Sequence, residues 1–266
     1  MTATPTRPSS APPLGDKVDV FGVEISVTTY EHAVERIMKA AVDNRSYAVS
    51  ALAVHGLMEA VNDEGFRAQV NDIDLVTPDG QPVRWAMNSL HGTALDDRVY
   101  GPDLTWFVIE AAAAQGVGIY LYGSTEETCR RFAAEIERRF PSANVVDIQP
   151  DRFRDATPAE DEADIARINN SGAGVVLVGR GCPRQERWVA DHRGHVNAAM
   201  LAVGAAFDYA AGTLDLPPAW MQKYGLQWLF RLIKEPGRLW RRYLFTNSQF
   251  LAVFAKAKVK QRVKRW

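Results

Sequence analysis

The sequence predicts an α/β protein with a Rossmann-like, mostly parallel sheet, helices on both faces, and a helical C-terminal appendage. Three observations predict it. Short apolar runs of strand length alternate with stretches of helical period along most of the chain. Several runs, Gly174 to Val178 above all, are apolar throughout, as strands covered on both faces are. The composition of the 266 residues, 47% hydrophobic and 24% charged, is that of a folded globular chain and excludes disorder of the whole. Cys129 and Cys182 are the only cysteines and lie far apart, which excludes a disulfide scaffold.

Each element has its own signal. Val18 to Val27 reads as a strand pair around Gly22, and Tyr30 to Val42 as a helix with Ala33, Ile37 and Ala41 on one face. Tyr47 to Ala53 is a strand, Val54 to Val70 is mostly helical, and Ile73 to Thr77 is a strand closed by a Thr-Pro-Asp-Gly turn. Gln81 to Leu90 and Gly101 to Gln115 are helices. Gly118 to Tyr122 is a strand, and Ser124 or Thr125 caps the helix that runs on to about Phe140. Asn144 to Ile148 is a strand and Pro158 to Asn170 a helix closed by Ser171-Gly172. Strand Gly174 to Val178, helix Pro183 to His192 and strand Ala198 to Val203 complete the body. The expected division is a disordered Thr/Pro/Ser-rich tail over 1–17, a core over 18–215 and a basic amphipathic appendage over 216–266. The N-terminus lacks the basic start and apolar run of a signal peptide, and no stretch is apolar enough to span a bilayer.

Net charge is −1, but its distribution is uneven. Residues 223–266 hold twelve Lys and Arg against one acid, Glu235, a local net of +11 that leaves −12 elsewhere. Trp228, Phe230, Trp240, Phe245 and Phe250 are threaded through this basic end. Basic helices bearing aromatic and Leu residues suit an anionic lipid surface. A packed subdomain with a solvated basic face and a nucleic-acid tail are the alternatives that composition leaves open.

In open α/β sheets ligands lie outside the carboxyl ends of the strands. Four strand ends look prepared for one: Thr77-Pro78-Asp79-Gly80, Tyr122-Gly123-Ser124, Val178-Gly179-Arg180-Gly181 and Val203-Gly204-Ala205-Ala206. Glycine lets backbone approach a phosphate, and the following helix N-terminus supplies free N–H groups, although tight turns need glycine as well. Arg184 spoils the one G-x-G-x-x-G candidate, and no P-loop, G-x-S-x-G or H-E-x-x-H is present. The five histidines show no metal spacing, so nothing in the sequence calls for a divalent metal or other cofactor. Asp79 can take a proton from an attacking hydroxyl, or it can be an Asx-turn or helix cap. Asp208 is a ribose or base contact or a cap. Arg98 can clamp a phosphate or pair with Asp103. Gln185 can donate to a sugar or phosphate, or face solvent.

These segments recur in a known order. With Arg98-Val99-Tyr100-Gly101-Pro102-Asp103, Gly179-Arg180-Gly181-Cys182-Pro183-Arg184-Gln185-Glu186, Pro218-Ala219-Trp220-Met221-Gln222-Lys223 and Glu235-Pro236-Gly237-Arg238-Leu239-Trp240-Arg241, the chain resembles the WecG/TagA/CpsF family of bacterial glycosyltransferases from about Val20 to Leu251. The resemblance implies transfer from a UDP-sugar donor to a polyprenyl-diphosphate-linked sugar acceptor, inverting and metal-independent, with no nucleic-acid partner. It implies a peripheral place on the cytoplasmic face of the cell membrane, reached through the appendage, and frequent homo-oligomers. It puts Asp79 at the base, Arg98 and Gln185 at substrate-binding positions, and Arg231, Arg238 and Arg241 at the arginines that close over the diphosphate. Gly80, Gly123, Ser124, Gly179, Arg180, Gly181, Gly204 and Asp208 complete the expected substrate site. Arg238 and Arg241 are i, i+3 on one expected helix, which Pro236 separates from Arg231. Many members carry Thr-x-Asn after the second strand. Here Ser50-Ala51-Leu52-Ala53-Val54-His55 stands in its place, with His55 or Ser50 as substitutes and UDP-glucose or a uronic-acid donor as alternatives to N-acetylmannosamine. A nucleotide-sugar-sensing module and a scaffold of polysaccharide assembly, both without turnover, are the rival functions.

Overall fold

The computed structural model describes residue 8 and residues 10–263, apart from the side chains of Ala219, Lys223, Arg238 and Arg242. The first seven residues of the expected tail, residue 9, and the basic residues Lys264 and Arg265 lie outside the described residues. The antiparallel hairpin β1 (Lys17–Val20) and β2 (Val23–Ser26) precedes α1 (Tyr30–Val42), whose cap is Thr29. Strand β3 (Tyr47–Leu52) leads to α2 (Val54–Asn62) and α3 (Glu64–Asp72). The mostly helical stretch expected there is divided at Asp63, which adopts extended dihedrals and caps α3 by accepting the Phe66 amide at 2.9 Å. Then follow β4 (Leu75–Pro78), α4 (Gln81–His91), α5 (Gly101–Gln115), β5 (Gly118–Gly123), α6 (Glu126–Arg139), β6 (Asn144–Gln149) and α7 (Pro158–Asn170). Strand β7 (Ala173–Gly179), α8 (Arg184–Asp191), β8 (Ala199–Ala202) and the short α9 (Ala206–Ala210) close the body. The appendage is α10 (Ala219–Lys223), α11 (Gln227–Lys234) and the long α12 (Pro236–Val263).

The main sheet has six strands in the order β4-β3-β8-β7-β5-β6, and every pairing is parallel. Period-two alternation divides its side chains between two cores. Ala48, Leu52, Val76, Val176, Val178, Met200 and Ala202 face the layer of α2, α3, α4 and α8. Val49, Leu75, Val175, Leu177, Ala199 and Leu201 face that of α1, α5, α6 and α9. This is why the strand sequences read as continuous apolar runs: both faces are buried.

The appendage packs on the body. Phe250 of α12 is buried in the first core and meets Phe21 edge-on at 5.7 Å between ring centroids. Gln249 and Asn62 of α2 exchange side-chain amide hydrogen bonds. Further along, Lys258 Nζ donates to Ser89 O at 3.0 Å and Gln261 Nε2 to Leu90 O at 2.6 Å, which satisfies carbonyls in the last turn of α4. No helix among the described residues is long and apolar enough to cross a membrane.

Candidate active site

The carboxyl ends of β3, β4, β7 and β8 open into a cavity of about 560 Å³, roofed by α11 and α12. Of the residues singled out in the sequence, the fold brings Asp79, Gly80, Arg98, Ser124, Gly179, Gly181, Gln185, Gly204, Asp208 and Arg231 to its wall.

Asp79 follows β4 and sits partly buried at the cavity floor. Its Oδ1 accepts the amide of Gly101, the first residue of α5, at 2.7 Å. Of the two readings of this residue from the sequence, the cap is met in altered form: Asp79 does not cap α4, which follows it, but accepts from the first residue of a helix twenty-two positions on. Burial drives its pKa up to about 6, against the lowering effects of Arg98, the Gly101 amide and Arg231. A β-carbon on Gly101 would stand 3.0 Å from the Ala51 methyl, so the backbone there is tightly packed.

Arg98 is buried. Its guanidinium lies over the Tyr100 ring at 4.0 Å and donates at 3.4–3.5 Å to Asp79 O and to Gln222 Oε1 of α10. Asp103, the alternative partner expected for it, instead accepts from Tyr30 Oη at 3.3 Å. Gln185 has both ends of its amide engaged. Its Oε1 accepts Gly181 N at 3.1 Å and its Nε2 donates to Glu186 Oε1 at 2.8 Å. It thereby braces the Gly181 turn beside Gly204, where an added β-carbon would meet the same amide at 3.1 Å.

Arg231 reaches the cavity from α11, half-buried, between Tyr209 and Tyr243. One guanidinium nitrogen pairs with Glu235 at 3.3 Å, and Nε is buried without a hydrogen-bond partner among the described residues. Tyr100 and Tyr209 both line the cavity, and burial raises both phenol pKa values.

Three expectations find other surroundings. Arg180 turns from the cavity to ion-pair with the buried Asp151 at 3.2 Å, over the Tyr122 ring. Gly123 does not line the cavity: a β-carbon there would stand 2.6 Å from the Gly179 backbone, so it serves strand packing. Arg241 is exposed, stacked on Trp240 at 5.2 Å, and is not part of the cavity wall. The side chain of Arg238 lies outside the described residues. Of the two substitutes for the Asn position, His55 lines the cavity. Ser50 is fully buried in β3 and does not line it, its Oγ lacking a hydrogen-bond partner among the described residues. Glu186, Tyr209, Tyr243, Thr246 and Asn247, none of them a site residue expected from the sequence, also line the wall. Only the Gln-Glu pairing of residues 185 and 186 carried a local signal. The others depend on how α9, α11 and α12 fold back. Among the described residues, no three His, Cys, Asp or Glu side chains gather as a metal site.

A parallel sheet with helices on both faces, and a carboxylate and two arginines in a cavity at its carboxyl edge, define the class: an open α/β protein whose cavity lies where such sheets take their ligands. The comparison with known families makes this particular. The model of the glycosyl transferase WecG/TagA/CpsF family matches residues 18–264, nearly the whole chain, and the chain belongs to that family. A glycosyltransferase role in polysaccharide synthesis, with a nucleotide-sugar donor and a sugar-linked acceptor, follows from the membership.

Proposed function

We propose that the chain is an inverting hexosyltransferase that moves a sugar from a UDP-sugar to a saccharide carried on a polyprenyl diphosphate. The observation that carries this reading is the placing of a raised-pKa carboxylate and two arginines in one cavity. Asp79 takes the proton of the acceptor hydroxyl as that oxygen bonds to the anomeric carbon. The bond from that carbon to the β-phosphate oxygen breaks, and UDP leaves with the electron pair. A pKa near 6 leaves Asp79 mostly ionised at neutral pH and more basic than an ordinary carboxylate. Arg231 stabilises the charge that develops on the diphosphate, in a site where water is partly excluded. Its Nε, without a partner among the described residues, has a hydrogen bond left to donate. With guanidinium groups in this role no divalent cation is required. Arg241 joins only if the first turn of α12 reorients.

The appendage supports a peripheral place on the inner membrane face. Trp240, Leu244, Phe245, Val259 and Val263 are exposed along α12 beside the exposed cations Arg241, Lys256, Lys260 and Arg262. Apolar groups with interspersed cations suit anionic lipid.

The test is incubation with a panel of UDP-sugars and a short-chain polyprenyl-diphosphate sugar, with and without EDTA. Acceptor-dependent UDP release, insensitive to chelation, is expected and names the donor. Donor binding without release, by wild type and Asp79→Asn alike, would make the chain a sensor instead.

A further inference from the structure

The inner face of α12 changes character along the cavity. Tyr243, Thr246 and Asn247 line its end nearest Arg231, and Phe250, Leu251 and Phe254 line the rest. At about 1.5 Å per residue, the gradient covers roughly 16 Å. The opposite wall repeats it. Asp79, Gly80 and Gln81 give way to Pro82, Trp85 and Ala86 along α4. Trp85 and Leu251 both line the cavity and are 44% and 64% exposed, so apolar surface continues from the catalytic floor to the exterior.

The base of a sugar nucleotide and the C–H face of a saccharide can each cover one apolar side chain, but neither carries a hydrocarbon chain that follows such a wall to the exterior. A ligand with an anionic head and a hydrocarbon tail matches both ends. We propose that the passage between α4 and α12 is a tail subsite that holds the first isoprene units of the acceptor while its diphosphate-linked sugar lies toward Asp79. This rests on the acceptor reading given above and adds to it the residues that grip the lipid. It is distinct from adsorption to the bilayer, which uses the outer face of α12, where Leu244 and Phe245 are 57% and 70% exposed and do not line the cavity.

Titration of the full chain, without vesicles, against dimethylallyl, geranyl and farnesyl diphosphate tests the proposal, with tryptophan fluorescence as the readout because Trp85 and Trp228 line the cavity. Affinity is expected to rise at least about tenfold from the shortest tail to the longest, since each buried methylene adds to binding. Leu251→Asp and Trp85→Ser, both at partly exposed positions, should reduce that ratio below about threefold without altering UDP affinity. Phe245→Ser should leave it intact. Equal affinity for all three tails, or a length dependence that survives both substitutions, overturns the subsite. Its failure is separable from failure of the transferase reading. UDP release that is equally efficient with tailless and tailed acceptors removes the subsite alone. Tail-dependent binding with no turnover of any UDP-sugar removes the transferase alone.

Discussion

The carboxylate of Asp79 receives the Gly101 amide at 2.7 Å, so the residue proposed as base also closes the N-terminus of α5. One oxygen is thereby oriented by a rigid helix, and the group is held at the cavity floor by an element that the acceptor does not have to move.

Asp79→Asn keeps an acceptor oxygen for Gly101 but cannot take a proton. UDP release should fall by at least about a hundredfold while UDP binding, measured by calorimetry, changes little.

The same substitution should stabilise the fold above pH 6. A carboxyl with a folded pKa near 6 and an ordinary value of 3.8 is ionised in the unfolded chain before it is ionised in the native one. Its contribution to stability is present at low pH and is lost as pH rises from about 4 to about 6. The shift corresponds to about 3 kcal/mol, so Asp79→Asn should unfold at higher urea than wild type at pH 8 and at the same urea at pH 4. For the reaction the sign is opposite: kcat/KM should fall tenfold per pH unit below about 6, as the base becomes protonated.

Arg231→Ala removes the guanidinium proposed to meet the departing diphosphate. We expect kcat to drop about a hundredfold and UDP to bind more weakly, with little loss of stability, because its pair with Glu235 is partly exposed. Arg98→Lys loses the planar stack on Tyr100 and the reach to both acceptor oxygens. It should cost at least about tenfold in kcat/KM, read from initial rates.

Phe250→Ala opens a hole between α12, Phe21 and the core, and should destabilise the protein by about 3–5 kcal/mol in chemical denaturation. The appendage is packed as part of the fold, so a chain ending at residue 215 should expose this core surface and lose solubility.

Phe245→Ser combined with Leu244→Ser should weaken sedimentation with anionic vesicles, and binding should fall further as salt rises. Unchanged binding would remove the outer face of α12 as the membrane contact.

Period and punctuation sufficed for α1, α5 and α7, whose limits match those read from the sequence. There the caps Thr29 and Thr157, and Gly116 in left-handed conformation, are local signals. Asp63 shows the limit: an acid inside an apolar period reads as a surface helical residue until its side chain is seen to start a second helix. The glycines at strand ends were legible as glycines but not as to purpose. Gly123 is set by the Gly179 backbone and Gly179 by the Phe207 ring, contacts between segments far apart in the chain.

By itself the sequence determined the parallel sheet, the basic appendage, and the carboxylate and arginines offered for chemistry, because apolar period, charge and residue type are written along the chain. Only the tertiary structure decided that Arg231 shares a cavity with Asp79, that Arg180 and Arg241 do not line it, and that Gln185 braces a turn. The shared cavity follows from where α11 docks across the sheet, more than a hundred positions from Asp79, and Arg180 turns to Asp151 across 29 positions; no local pattern encodes either contact.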